Sequence, residues 1–437
     1  MSPRGVGEVQ GAGEFERATY SKVTWRLMPY LFLCYILAYV DRVNVSFAKL
    51  QMQQDLGMSD SAFGLGAGIF FVGYFFFEVP CNVIMQKIGA RLWLGPIMIV
   101  WGVVSASTLF VRSAFGFYAI RFLLGMVESG FFPGVILYLT FWYTRKHRAR
   151  MVAAFMSAVP LSGVVASPIS GWILERMSGV GHLAAWQWLY LVEGIPSLVA
   201  GAIALYFLTD GPSHAKWLTA PERELVLARL AEEEALKSRE SGGVHRLSDA
   251  FRSTDVWLLC LVYFGFVMGN YGLSFWLPQV IKETITKDPL AIGWLSVIPW
   301  ATAGIVMILA GHHSDKTGER RWHLAGAGIL VAVSYSISAI PGMPGVPGFA
   351  ALTVATIGVM CTLALFWSLP TAILSGTAAA AGIAWINSVG NLAGYVGPYV
   401  VGLIRDATHS MTPALLVLAS ASLVSAMVTL WVTRRRA

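Results

Sequence analysis

Long apolar runs separated by short polar joints make up most of this chain. Runs long enough to cross a membrane centre near residues 37, 72, 102, 129, 163 and 197, and a second set near 267, 300, 331, 358, 391 and 422. A bilayer core about 30 Å thick needs about 20 apolar residues per helix. The pattern therefore predicts an all-α membrane protein with twelve transmembrane helices in two six-helix bundles. Between the sets, residues 209–253 turn polar and charged. There Thr219-Ala220-Pro221-Glu222 has capping-box spacing, followed by Leu225, Val226, Leu230 and a Glu/Lys-rich stretch. This predicts a short amphipathic helix with a solvated charged face. The expected divisions are a polar N-terminal tail over 1–26, a first bundle over 27–208, the linker over 209–253, and a second bundle with a short basic tail over 254–437. The first apolar run, Leu27 to Phe47, is too long for the core of a signal peptide and reads as a span.

Composition agrees with that pattern. Of 437 residues, 56% are hydrophobic and 13% charged, with a mean hydropathy of +0.64. A soluble domain carries about 25% charged residues. The net charge of +7 is distributed by side of the membrane. Lys87, Arg91, the run Arg145-Lys146-His147-Arg148-Ala149-Arg150, Lys316, Arg320, Arg321 and Arg434 to Arg436 fall on one side of the expected spans. Lys49, Arg112, Arg176, Lys282, Lys287 and Arg405 stand singly on the other. This positive-inside distribution predicts a multi-pass inner-membrane protein with both termini and the linker in the cytoplasm. The basic charge thus reports topology, and no nucleic-acid partner is expected. Cys34, Cys81, Cys260 and Cys361 lie scattered in apolar runs, with no CxxC and no histidine at ligand spacing. They read as packing residues, so neither a disulfide framework nor a metal site is expected, and no cofactor.

The two halves share an element. Lys87, Gly89 and Arg91 after span 2 coincide with Lys316, Gly318 and Arg320 after span 8 at a constant offset of 229 residues. A half-chain offset is what an internally duplicated transporter predicts. Glycine permits a tight turn between spans, and the bases hold that turn at the headgroups. The stretch Gly311-x-x-x-Asp315-Lys316-x-Gly318-x-Arg320-Arg321 resembles the loop signature of the major facilitator superfamily. The first copy departs from it, with Asn82 for the glycine and Gln86 for the acid. A narrower resemblance, to that superfamily's anion:cation symporter branch, rests on Tyr39 to Ala48, Trp188 to Pro196, Tyr271 to Pro278 and Asn387 to Pro398. The resemblance implies the major facilitator fold and carriage of organic anions such as sugar acids, tartrate-like acids or small aromatic acids, commonly with protons.

An ionisable group at the centre of a span costs about 2.5 to 3.5 kcal/mol on insertion scales, so the few present are informative. Asp41 and Arg42 sit in span 1, Arg121 and Glu128 in span 4. Arg121 and Glu128 are seven apart, hence on nearly one helix face and about 10 Å apart along the axis. Two acids and two bases on these helices can neutralise one another. One reading makes Asp41, Glu128 and Arg121 the proton-coupling groups and Arg42 the anion receptor; protonating Glu128 would free Arg42 for a substrate carboxylate. The other reading is a permanent ion-pair lock. Tyr39, Tyr74, Asn270, Tyr271, Trp367, Asn387 and Asn391 are candidates to line the pocket, with Tyr39, Tyr74, Trp367, Asn387 and Asn391 the chosen substrate contacts. Asn391 also fits a role between helices. Glu78 and Glu193 read as structural, and Pro160, Gly163, Pro168 and Gly171 as kink and close-contact positions in span 5.

The whole predicts a monomeric secondary transporter that imports a small organic anion with protons by alternating access. A proton-coupled drug or metabolite exporter on the same fold is the rival. No HExxH, GxSxG or metal-ligand cluster occurs, so an intramembrane enzyme is not expected.

Overall fold

The computed structural model describes residues 3–240, 253–373 and 377–434. Residues 241–252 of the expected linker, and Arg435 and Arg436 of the expected basic tail, lie outside them. Among the described residues the chain forms helices and no strand. Helices α1 (Pro3–Asp55), α2 (Asp60–Ile88), α3 (Ala90–Ser107), α4 (Ala114–Glu128), α5 (Phe131–Thr140), α6 (Arg145–Met156), α7 (Ala158–Arg176) and α8 (Ala185–Phe207) form the first half. Helix α9 (Ala220–Glu240) lies in the linker. The second half holds α10 (Thr254–Ser274), α11 (Leu277–Thr284), α12 (Pro289–Thr317), α13 (Arg321–Ser338), α14 (Gly345–Phe366), α15 (Ser368–Ile373), α16 (Thr377–Asn391), α17 (Ala393–Thr408) and α18 (Thr412–Arg434). Ten described segments are long and apolar enough to cross a membrane. The remaining expected centres, 331 and 391, fall on α13 and on the α16–α17 pair. Phe76, Phe115, Ile305, Val346 and Met427 are exposed on these helices, an apolar belt suited to lipid.

Both glycines of the repeated loop element have positive φ, +87° at Gly89 and +68° at Gly318, so each makes the turn for which it was singled out. The missing acid of the first copy is replaced from elsewhere in the chain. Asp210, just after α8, accepts the Arg91 backbone N–H at 3.0 Å, where the second copy pairs Asp315 with Arg320 at 3.6 Å. The capping box also forms: Glu222 accepts from the Thr219 N–H at 2.8 Å, and Thr219 accepts from the Glu222 N–H at 3.4 Å.

The N-terminal tail is a continuation of the first span. Helix α1 runs unbroken for 53 residues, about 80 Å, and its first part docks on α9. Lys22 bonds Glu222 at 2.7 Å, and Arg229 bonds Glu16 at 2.6 Å. The Lys22 ammonium and the Thr219 N–H hold the Glu222 carboxyl below its ordinary range. Glu233 accepts the Arg145 N–H at 2.6 Å. The charged face of α9 therefore joins tail, linker and the basic loop, beyond being solvated.

The two halves meet along α7 with α12 and along α2 with α17. Small residues bring the backbones into contact there. A Cβ on Gly171 would lie 2.6 Å from the Pro289 carbonyl, and one on Gly68 would lie 2.7 Å from the Tyr395 carbonyl.

Candidate functional site

Arg42 of α1 sits at the seam between the halves. It bonds Glu128, the last residue of α4, and donates from Nη1 to the Tyr271 hydroxyl of α10 at 3.2 Å. Its guanidinium carbon lies 5.2 Å from the ring centre of Tyr39, 5.1 Å from Phe70 and 5.6 Å from Tyr74. Each such contact contributes about 0.5 to 2 kcal/mol, so the cage holds the cation while leaving N–H edges free. Arg121 reaches the same ring, 5.0 Å from Phe70, and donates to the Ala67 carbonyl at 3.2 Å. The approach is set by Gly125, one turn on, which has no room for a Cβ against the Phe70 carbonyl. Five buried atoms here lack a partner: the donors Arg42 Nε, Arg121 Nε and Arg121 Nη1, the acceptor Glu128 Oε2, and the Tyr190 hydroxyl, which can do either. The region is short of acceptors.

Asp41 is not part of this cluster. Its carboxylate accepts from Trp101 Nε1 at 2.6 Å, Ser105 at 2.7 Å and Ser197 at 2.8 Å, all inside the first half. Neighbours on a helix point about 100° apart, so Asp41 faces α3 and α8 while Arg42 faces the seam. The expected neutralisation of two acids by two bases therefore holds for Arg42 with Glu128 alone. Arg121 forms no ion pair with either acid among the described residues. On the second half, Trp367 interrupts the helix between α14 and α15 and packs against Tyr263 at 4.9 Å. Asn391 ends α16, at another interruption. Glu128, Trp367 and Asn391 thus all mark breaks in spanning helices, the kind of element that builds sites at the midplane of transporters.

Glu78, read from the sequence as structural, crosses the seam. It accepts from Asn387 Nδ2 at 2.9 Å and from the Ser388 hydroxyl at 3.2 Å, one turn from Tyr74 toward the face carrying the termini. Asn387 is thereby committed to a carboxylate of the other half. The expected outcome for Glu78→Ala is a loss of about 1 to 3 kcal/mol from two buried donors left unpaired, with Glu78→Gln losing less. Thermal unfolding of the purified variants measures it.

On the opposite face, Lys49 and Arg405 are not the isolated loop bases the sequence suggested. Lys49 bonds Asp60 at 2.9 Å; Arg405 bonds Asp60 at 2.9 Å and Glu283 at 2.7 Å. Asp406 accepts the Asp60 and Ser61 N–H groups, both at 2.9 Å. Trp276 lies between the two cations, 4.3 Å from Lys49 Nζ and 5.2 Å from the Arg405 guanidinium carbon. This network ties α1 and α2 to α11 and α17. No spacing in the sequence announces it, because its members come from three stretches far apart in the chain, around residues 49–61, 276–283 and 405–406.

Comparison with known proteins fits this architecture. The Major Facilitator Superfamily profile matches residues 31–398 and 259–437. The chain belongs to that superfamily. It is a multi-pass membrane transporter, not an enzyme. It is 47% identical over 421 residues to an Agrobacterium vitis protein named as a candidate tartrate transporter, covering 96% of each chain. It is 37% identical to a quinolone resistance transporter of Acinetobacter baumannii, covering 92% of each. Among solved structures, a D-xylose-proton symporter superposes with a TM-score of 0.72 at 15% identity, over 93% of this chain and 97% of that one. At that identity the likeness concerns the fold alone.

Proposed function

We propose that this superfamily member imports a small organic anion together with protons by alternating access. The observation that carries the reading is a buried excess of guanidinium N–H donors: Arg42, shared at the seam between Glu128 and Tyr271, keeps an unmatched Nε, and Arg121 behind it on the Phe70 ring keeps two unmatched nitrogens. A carboxylate fits that excess: it is acceptor-only and takes two parallel bonds from a guanidinium. The name of the Agrobacterium vitis relative points the same way, toward tartrate-like acids, with sugar acids and aromatic acids as further members of the class.

In this reading Glu128 carries the proton. Ionised, it occupies Arg42; protonated, it releases Arg42 to the substrate carboxylate, and the Tyr39 and Tyr74 rings support the guanidinium in both states. Asp41, held by three donors, and Arg121 act as partners of the coupling site. Trp367 and Asn391 line the second-half wall, and Asn387 enters it only when its bond to Glu78 opens. The Glu78 bonds on one face and the Asp60–Arg405–Glu283 network on the other open alternately. The chain works in the inner membrane as a monomer, with both termini in the cytoplasm.

The quinolone-named relative supports a second reading, export of a drug from the same seam. Ligand-dependent thermal stabilisation of the purified protein separates the two. Tartrate or a related organic acid is expected to raise the unfolding midpoint and a quinolone to leave it unmoved. The reverse result favours export.

A further inference from the structure

In this conformation two internal acids occupy hydrogen-bond donors at the seam. Glu128 holds Arg42, and Glu78 holds Asn387 and Ser388. The two sets flank Tyr74. Its ring lies 5.6 Å from the Arg42 guanidinium carbon, and Glu78 follows it by one turn, about 6 Å along α2. Trp385 of α16 packs on Phe75 at 6.4 Å, so that helix presents its donors beside the same turn of α2. Glu78 is 7% exposed, and among the described residues its oxygens accept from neutral donors only. Oε1 accepts from Asn387 Nδ2 at 2.9 Å and Oε2 from the Ser388 hydroxyl at 3.2 Å. Because Glu78 belongs to the first half and its donors to the second, the same two bonds close the seam on the face carrying the termini.

We infer that Glu78 is a tethered competitor for the far end of the substrate. An organic anion seated on Arg42 takes Asn387 and Ser388 with a second oxygen acceptor, and in doing so it opens the face carrying the termini. The inference rests on the organic-anion reading above and narrows it to acids with two acceptor groups, such as dicarboxylates and polyhydroxy acids. Exchanging one acceptor for another leaves both donors satisfied, so the exchange costs little at Asn387 and Ser388. The displaced Glu78 carboxylate is in a different position, since a buried charge without donors is expensive. It is stable only where water reaches it, which requires α2 and α16 to part on that face. Occupancy of the site and opening of the face are thereby one event. An acid with a single acceptor binds Arg42, leaves the Glu78 bonds in place and does not open the face.

The test is the dissociation constant of the purified full-length chain for four acids, in wild type, Glu78→Ala and Glu78→Gln. Tartrate, succinate and gluconate carry a second acceptor, and butyrate does not. In Glu78→Ala, those of the first three that bind should bind roughly tenfold more tightly, about the contribution of one hydrogen bond. Butyrate should be unchanged. Glu78→Gln keeps an amide oxygen that accepts from Asn387, so its gain should be smaller, and it serves if the alanine variant does not fold. Affinities for the first three acids that are unchanged or weaker in both variants overturn the inference. An equal gain for butyrate also overturns it, marking a general loosening of the seam, as does a wild type that binds butyrate alone. A wild type that binds none of the four overturns the organic-anion reading, and this inference with it.

Discussion

Replacing Arg42 by lysine is expected to weaken anion binding by roughly 10- to 100-fold although the positive charge remains. A charge-assisted hydrogen bond contributes about 1.5 to 3 kcal/mol, and each 1.4 kcal/mol is about tenfold in affinity. Lysine offers a compact, strongly hydrated ammonium in place of the planar fork. It also loses the stacking that the guanidinium makes on Tyr39, Phe70 and Tyr74. A purely structural pair with Glu128 would tolerate lysine, with unchanged affinity and at most a lower protein yield. The measurement is therefore the dissociation constant in purified, folded protein. Near-wild-type affinity in Arg42→Lys would move the anion site to Arg121, which has two unpartnered nitrogens of its own.

Glu128→Gln is expected to divide transport into two parts. Glutamine imitates a permanently protonated acid, so proton-driven accumulation should fall to an inside-to-outside ratio of about one while substrate exchange across the membrane persists. The same change leaves Arg42 buried without its counter-charge, and breaking a buried pair costs about 3 to 5 kcal/mol. The ligand-free variant should be less stable than the wild type. An anion that supplies the missing charge should stabilise it more than it stabilises the wild type. Accumulation against a gradient by Glu128→Gln would remove Glu128 from the proton pathway.

Much of the frame was legible because it depends on local chemistry. Apolar run length marks the spans, positive φ at Gly89 and Gly318 follows from a turn only glycine makes cheaply, and the Thr219–Glu222 cap is a three-residue relation. The pairing of Arg42 with Glu128 was foreseeable because so few charges are available inside the spans. What stayed hidden depends on how distant helices rotate against each other. The charge inventory suggested that Asp41 shares charge with the arginines, yet Trp101, Ser105 and Ser197 surround it. Those neutral residues are indistinguishable in sequence from ordinary span packing. Glu78 read as structural, and only the approach of α16 gives it Asn387 and Ser388 as donors across the seam.

Proton-coupled anion import is tested most directly by following proton and anion movement together in proteoliposomes holding the purified chain. Adding tartrate or a related organic acid outside, with an inward proton gradient imposed, should alkalinise the outer medium as labelled anion accumulates above its external concentration. A protonophore should abolish both signals. Anion entry that stops at equal concentrations and moves no protons would contradict coupled import, as would outward movement of a quinolone with no response to any organic acid.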